Sequence, residues 1–189
     1  MKTVFRATAR TLKAQVTTIG GSVAAVCAGF TAQLVSNNAI VAWGIHPRTK
    51  QGLWGIFVAP LLHGSVEHLI ANTVPLIILG WLVMLRDAKH FLPVTLFSML
   101  GAGLVAWTFG APGSVHIGAS GVVFGYLGFL MLAGWYVRSL GAIVLSVLVT
   151  VMWGGVVAGV LPGQPGISWQ AHLGGFIGGI LAARALAPR

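Results

Sequence analysis

Residues 116–137 read HIGASGVVFGYLGFLMLAGWYV. From Ser120 to Val137 no side chain is charged. A bilayer-crossing helix needs about 20 mainly apolar residues, and this run is of that kind. It enters the apolar phase with a hydroxyl set between glycines, which asks for a reason beyond packing.

The rest of the chain supplies the setting. Of its 189 residues 57% are hydrophobic and 7% charged, where a soluble domain carries about 25% charged residues. Mean hydropathy is +0.92. Two carboxylates, Glu67 and Asp87, stand against 11 Lys and Arg. No water-facing shell can be built from that, so the composition reads as an all-α polytopic membrane protein. A single lipid-facing segment satisfies its backbone only as a helix. Six spans are expected, at roughly 17–36, 60–85, 91–109, 119–137, 139–160 and 170–187. This gives a basic tail over 1–16 and one six-helix membrane domain over 17–187.

The basic residues sit at span ends rather than on a soluble face, which argues against nucleic-acid binding. Lys2, Arg6, Arg10, Lys13, Arg86, Lys89, Arg138, Arg184 and Arg189 fall on one side, and only Arg48 and Lys50 on the other. The positive-inside rule then places both termini in the cytoplasm. A bacterial plasma membrane follows. The Arg-bearing, acid-free tail also fits a mitochondrial transit segment, which keeps the mitochondrial inner membrane as an alternative. Cys27, in an apolar stretch, reads as a packed core residue.

Polar side chains within spans are expensive, up to about 3 kcal/mol for a central charge, and are functional by default. His63, Glu67, His68, Asn72, Ser120 and His172 all fall in the first turns of the second, fourth and sixth spans. The topology puts them at one depth, in the outer part of the membrane. Gly121, Gly125 and Gly128 form one stripe, and Gly175 and Gly179 another on the face of His172. Small-residue stripes let helices approach closely. If these two meet, Ser120 comes within hydrogen-bond reach of His172, and a neutral imidazole activates a serine. The bland alternatives are a small packing serine and an interfacial histidine.

No third member is available. Asp87 is on the wrong side and Glu67 belongs beside His68, so a hydrolase here is a Ser–His dyad. His68 and Asn72, i and i+4 on the second span, can supply donors to an oxyanion; alone they also read as an interhelical hydrogen-bond pair. A metal is not expected: His63 and His68 are about 140° apart on an ideal helix, with no carboxylate or thiol to complete a site. The five tryptophans near span ends read as belt residues, and no cofactor is called for.

Three motifs together resemble the rhomboid intramembrane serine proteases: GASG at 118–121, AHLGG at 171–175 and HGSVEHLIAN at 63–72. The resemblance covers roughly residues 54–180. It implies Ser120 as nucleophile and His172 as general base, with His68, Asn72 and the Gly118 backbone at the oxyanion. Phe124 takes the place of the aromatic that packs on the histidine, and His63 supports the second-span motif. It further implies peptide-bond hydrolysis of single-span membrane proteins in the lipid bilayer. Two departures stand out. Trp54-Gly55 replaces the family's usual Trp-Arg, and the first outer loop leaves little room for the usual helical hairpin. A non-catalytic relative that binds transmembrane helices is the first alternative, a small transporter the second. Oligomeric state is not legible.

Overall fold

A computed structural model describes residues 2–164 and 166–188, with side chains from Thr11 onward. The side chains of Lys2, Arg6 and Arg10, and Arg189, lie outside the described residues. Among the described residues there are seven α-helices and no strand. They are α1 (Lys2–Val35), α2 (Lys50–Val58), α3 (Val66–Arg86), α4 (Phe91–Phe109), α5 (Ser120–Val137), α6 (Leu140–Trp153) and α7 (Trp169–Ala185). Short 3₁₀ segments occur at Ala39–Trp43, Ala59–Leu61, Ala88–His90 and Gly154–Val160.

Among the described residues five stretches are long and apolar enough to cross a membrane: 11–35, 66–86, 88–109, 120–137 and 140–160. The sixth expected span corresponds to α7, which has 17 residues, about 25 Å of helix. Together these helices form an all-α polytopic bundle.

α5 is its centre. Two thirds of its residues are buried, and it packs against α3, α4, α6 and α7. Tyr126, Leu127, Phe129 and Leu130 are its largest fully buried side chains. Backbone contact makes this depth possible. A Cβ on Gly175 would overlap Gly121 O, and one on Gly179 would overlap Gly125 O. The two expected stripes therefore do face each other. A second pair, Gly174 and Gly178, lies against Gly101 and Phe97 of α4. α7 is thus seated backbone-to-backbone on two helices at once, and with little side-chain area its close contacts rest on dispersion. Hydroxyls tie the remaining helices: Ser146 Oγ of α6 donates to Leu130 O at 2.6 Å and accepts from Gly134 N–H at 2.8 Å. The Thr95 and Tyr126 hydroxyls meet at 2.7 Å.

Three sequence expectations are corrected here. The second span does not begin near residue 60. Pro60 lies in a 3₁₀ turn, and the helix starts at Val66, where the Ser65 side chain accepts from His68 N–H at 3.1 Å as an N-cap. The first loop does hold helical pieces: a 3₁₀ turn over Ala39–Trp43 and α2, which packs on α4. Thr49 caps α2 by accepting from Gly52 N–H at 2.9 Å. Cys27 is exposed on α1 rather than packed in the core.

Candidate active site

α3, α5 and α7 begin at the same end of the bundle, around a cavity of about 690 Å³ lined by His68, Asn72, Ser120, Phe124 and His172 among others. Ser120 is the first residue of α5. The first N–H groups of a helix have no partner within it, so the serine brings an open donor end with it.

His172 lies one turn into α7, and its orientation is determined twice. Its ring stacks on Phe124, with centroids 4.0 Å apart and planes at 12°. Its Nδ1 lies 3.0 Å from Gly159 O. A carbonyl only accepts, so Nδ1 carries the proton and Nε2 keeps its lone pair. This contact comes from the 3₁₀ segment after α6 and was not anticipated from the sequence, because a backbone carbonyl has no side-chain signature. Among the described residues no hydrogen bond joins Ser120 to His172. Catalytic hydrogen bonds commonly tighten only around the reacting group.

On the opposite wall, His68 Nδ1 accepts from Gly64 N–H at 3.3 Å, which leaves the proton of a neutral ring on Nε2. Asn72 Nδ2 donates one hydrogen to His68 O at 3.0 Å, and its second hydrogen is free. Both groups converge beside Gly118, whose φ is +111°. A Cβ there would lie 2.9 Å from His68 Nε2 and 3.5 Å from Asn72 Nδ2. The missing side chain is therefore a small space flanked by two donors. The Gly118 N–H itself is engaged, donating to Ala59 O at 2.8 Å. What Gly118 contributes is bare space rather than a free donor.

His63 is not on α3 at all. It sits in the extended segment before that helix, fully buried, and its ring meets His68 edge-on at 5.1 Å and 63°. The 140° separation expected from an ideal helix does not apply. Gln33 of α1 holds its backbone, donating to His63 O at 2.6 Å and accepting from His63 N–H at 3.1 Å. His63 Nε2 in turn accepts from Ala119 N–H at 3.4 Å, so the ring is neutral. Burial, chiefly, and the neighbouring His68 push it down to about 4, against a small upward pull from the Leu61 carbonyl. Glu67 is exposed in the first turn of α3, away from these contacts. No group of three or more His, Cys, Asp or Glu side chains comes together among the described residues.

Residues 50–189 match the rhomboid domain family. An uncharacterised protein of Mycobacterium tuberculosis is 43% identical over 151 residues, which cover 76% of this chain and 63% of that protein. This chain therefore spans less than two thirds of such relatives. RHOMBOID-like protein 1 of Arabidopsis thaliana is 31% identical over 138 residues, 70% of this chain and 34% of that one. Rhomboid protease GluP of Bacillus subtilis is 29% identical over 161 residues, 80% of this chain and 30% of that one. The helical bundle, the glycine-seated α7 and the matched 140 residues (50 through 189) agree: this integral membrane chain belongs to the rhomboid family.

Proposed function

We propose that the chain is an intramembrane serine endopeptidase that works through a Ser120–His172 dyad. The observation that carries this reading is the His172 tautomer. With Nδ1–H held by Gly159 O, the free Nε2 lone pair belongs to a ring that lines the same cavity as Ser120.

In this reading Ser120 Oγ attacks the scissile carbonyl carbon as Nε2 takes its proton. The imidazolium that forms keeps its Nδ1–H on Gly159 O, the service a carboxylate gives in a triad. The carbonyl oxygen becomes an anion beside Gly118 and accepts from His68 Nε2–H, Asn72 Nδ2–H and the Ser120 N–H. Collapse breaks the C–N bond, and Nε2 returns its proton to the leaving amine. Water then repeats the sequence on the acyl-serine. No metal or cofactor takes part. The substrates are single-span membrane proteins cut near the outer face, and the membrane is a bacterial plasma membrane, with both termini in the cytoplasm. Mycobacterial relatives and the basic-residue asymmetry support that placement.

The test is cleavage of a single-span reporter and labelling by a fluorophosphonate. Wild type is expected to do both, and Ser120→Ala and His172→Ala neither. Equal cleavage by all three proteins refutes the dyad. A wild type that neither labels nor cleaves favours a non-catalytic, helix-binding relative.

A further inference from the structure

The loop that leads into Ser120 is tied to the first turn of α7 by a histidine that takes no part in the dyad. His116 stands four residues before Ser120. Its backbone pairs with Ile45 in both directions, each N–H to O at 3.0 Å. Its ring bridges two serines, with Nδ1 2.6 Å from Ser168 Oγ and Nε2 3.0 Å from Ser114 Oγ. Ser168 is the N-cap of α7: it accepts from Ala171 N–H at 3.3 Å, and its carbonyl accepts from His172 N–H at 3.1 Å.

The direction of each bond follows from its neighbours. Ser114 Oγ–H is spent on Ala111 O at 2.7 Å, so Ser114 accepts from His116 Nε2–H. The neutral ring then offers its Nδ1 lone pair to the Ser168 hydroxyl. Each serine donates once and accepts once, and the chain runs without a gap from the α7 backbone to the 111–114 turn.

We infer that His116 is a positioning residue for the hydrolysis, acting through Ser168 to set the separation of Ser120 and His172. The inference rests on the dyad reading. The glycine stripes hold α5 and α7 together further along, from Gly121 and Gly175 onward. Ser120 and His172 stand at the edge of those contacts, where a Cβ on Gly121 would lie 3.3 Å from Ala171 O and Phe124 stacks on His172. The His116–Ser168 bond is the hydrogen-bonded cross-tie at that level, joining the loop before α5 to the N-cap of α7. A misplacement of about 1 Å between reacting groups is enough to cost about 100-fold in rate.

The full chain in detergent micelles, as wild type, His116→Ala, His116→Asn, Ser168→Ala and the double alanine variant, decides the matter. The readouts are kcat and KM on the single-span reporter, fluorophosphonate labelling rate and melting temperature. Each alanine variant is expected to lose roughly 10- to 100-fold in kcat with KM within about twofold. The double variant should lose no more than the worse single, because the two act as one unit. His116→Asn keeps an acceptor for the Ser168 hydroxyl, so it should regain most of the rate at a wild-type melting temperature. Wild-type kcat in His116→Ala, fully additive losses, or a raised KM with kcat unchanged would each overturn the inference. A wild type that neither labels nor cleaves defeats the dyad reading itself, and this inference with it, an outcome distinct from an active wild type matched by its variants.

Discussion

The Nδ1 of His172 and the carbonyl of Gly159 stand 3.0 Å apart, and in the proposed dyad that backbone group takes the place of an acid. The chain has no carboxylate to spare there, so the tautomer of the imidazole depends on where one 3₁₀ segment sets one oxygen. Gly159 is close-packed for the same reason: a Cβ on it would lie 2.8 Å from Phe124 Cζ and 3.2 Å from His172 Nδ1. Gly159→Ala must push the ring, the phenyl or the carbonyl aside. We expect kcat to fall about 10- to 100-fold. Gly155→Ala, in the same segment with nothing within 4 Å of the added methyl, should keep wild-type kcat. Equal rates for the two variants in the reporter assay count against the carbonyl's role.

Gly118 offers a sharper contrast. Its φ of +111° and the 2.8 Å from a would-be Cβ to His68 Cε1 act together. At Gly113 φ is also positive, +78°, but a Cβ meets nothing within 4 Å. Both Ala variants carry backbone strain of about 1–3 kcal/mol, and both should melt earlier. Only Gly118→Ala fills the space between the two donors, so only it should lose activity, by about 100-fold or more. His68→Ala and Asn72→Ala, which remove one donor each, are expected to cost about 100- to 1000-fold in kcat. If Gly113→Ala is as inactive as Gly118→Ala, strain rather than occupancy explains the loss.

These contrasts also show how far the sequence could be read. The Gly175 and Gly179 stripe was legible because it repeats every four residues on one face and has a periodic partner in Gly121 and Gly125. The Gly174 and Gly178 pair was not, since its partners Gly101 and Phe97 sit on another helix and share no such pattern. The sequence pattern sets the start of α3 too early because Ala59–Leu62 is as apolar as a helix. Periodicity alone does not distinguish a buried non-helical run from a helical one. That displacement carried His63 off the helix and next to His68. The Gly159 and Gln33 contacts with the two histidines depend on long-range chain paths, through a carbonyl and a backbone clamp, and local pattern says nothing about either.

His63 links the site to pH. Its folded value near 4 lies below the 6.5 of an unfolded histidine, so the unfolded chain binds the proton more readily. Stability from this residue is complete above about pH 6.5 and declines as pH falls from there toward 4. The melting temperature of wild type should be flat from pH 8 to 7 and drop below 6.5. Other histidines titrate too, so the comparison is with His63→Gln, whose decline over pH 6.5–4 should be shallower. Parallel curves would show that the buried ring is not a source of the slope.

The seat of α7 is testable through stability alone, independent of any substrate. A Cβ on Gly179 would overlap Gly125 O and stand 2.8 Å from Phe129 N. Those are backbone atoms of a central helix, which cannot turn aside as a side chain can. Overpacking of this kind costs about 1–3 kcal/mol or more, which for a chain of this length is a melting-temperature loss of about 2–12 °C or more. Gly141→Ala near the start of α6, with nothing within 4 Å, should melt at or slightly above wild type, because alanine loses less backbone entropy than glycine on entering a helix. The pair separates two views of a glycine-rich membrane helix. If glycine serves only to make α7 pliable, Gly179→Ala stiffens it and does no harm; if it serves to let α5 in, the bundle loosens. Thermal unfolding of both variants in one detergent tells them apart, and an unchanged Gly179→Ala would remove the backbone-to-backbone seat as the basis of the fold.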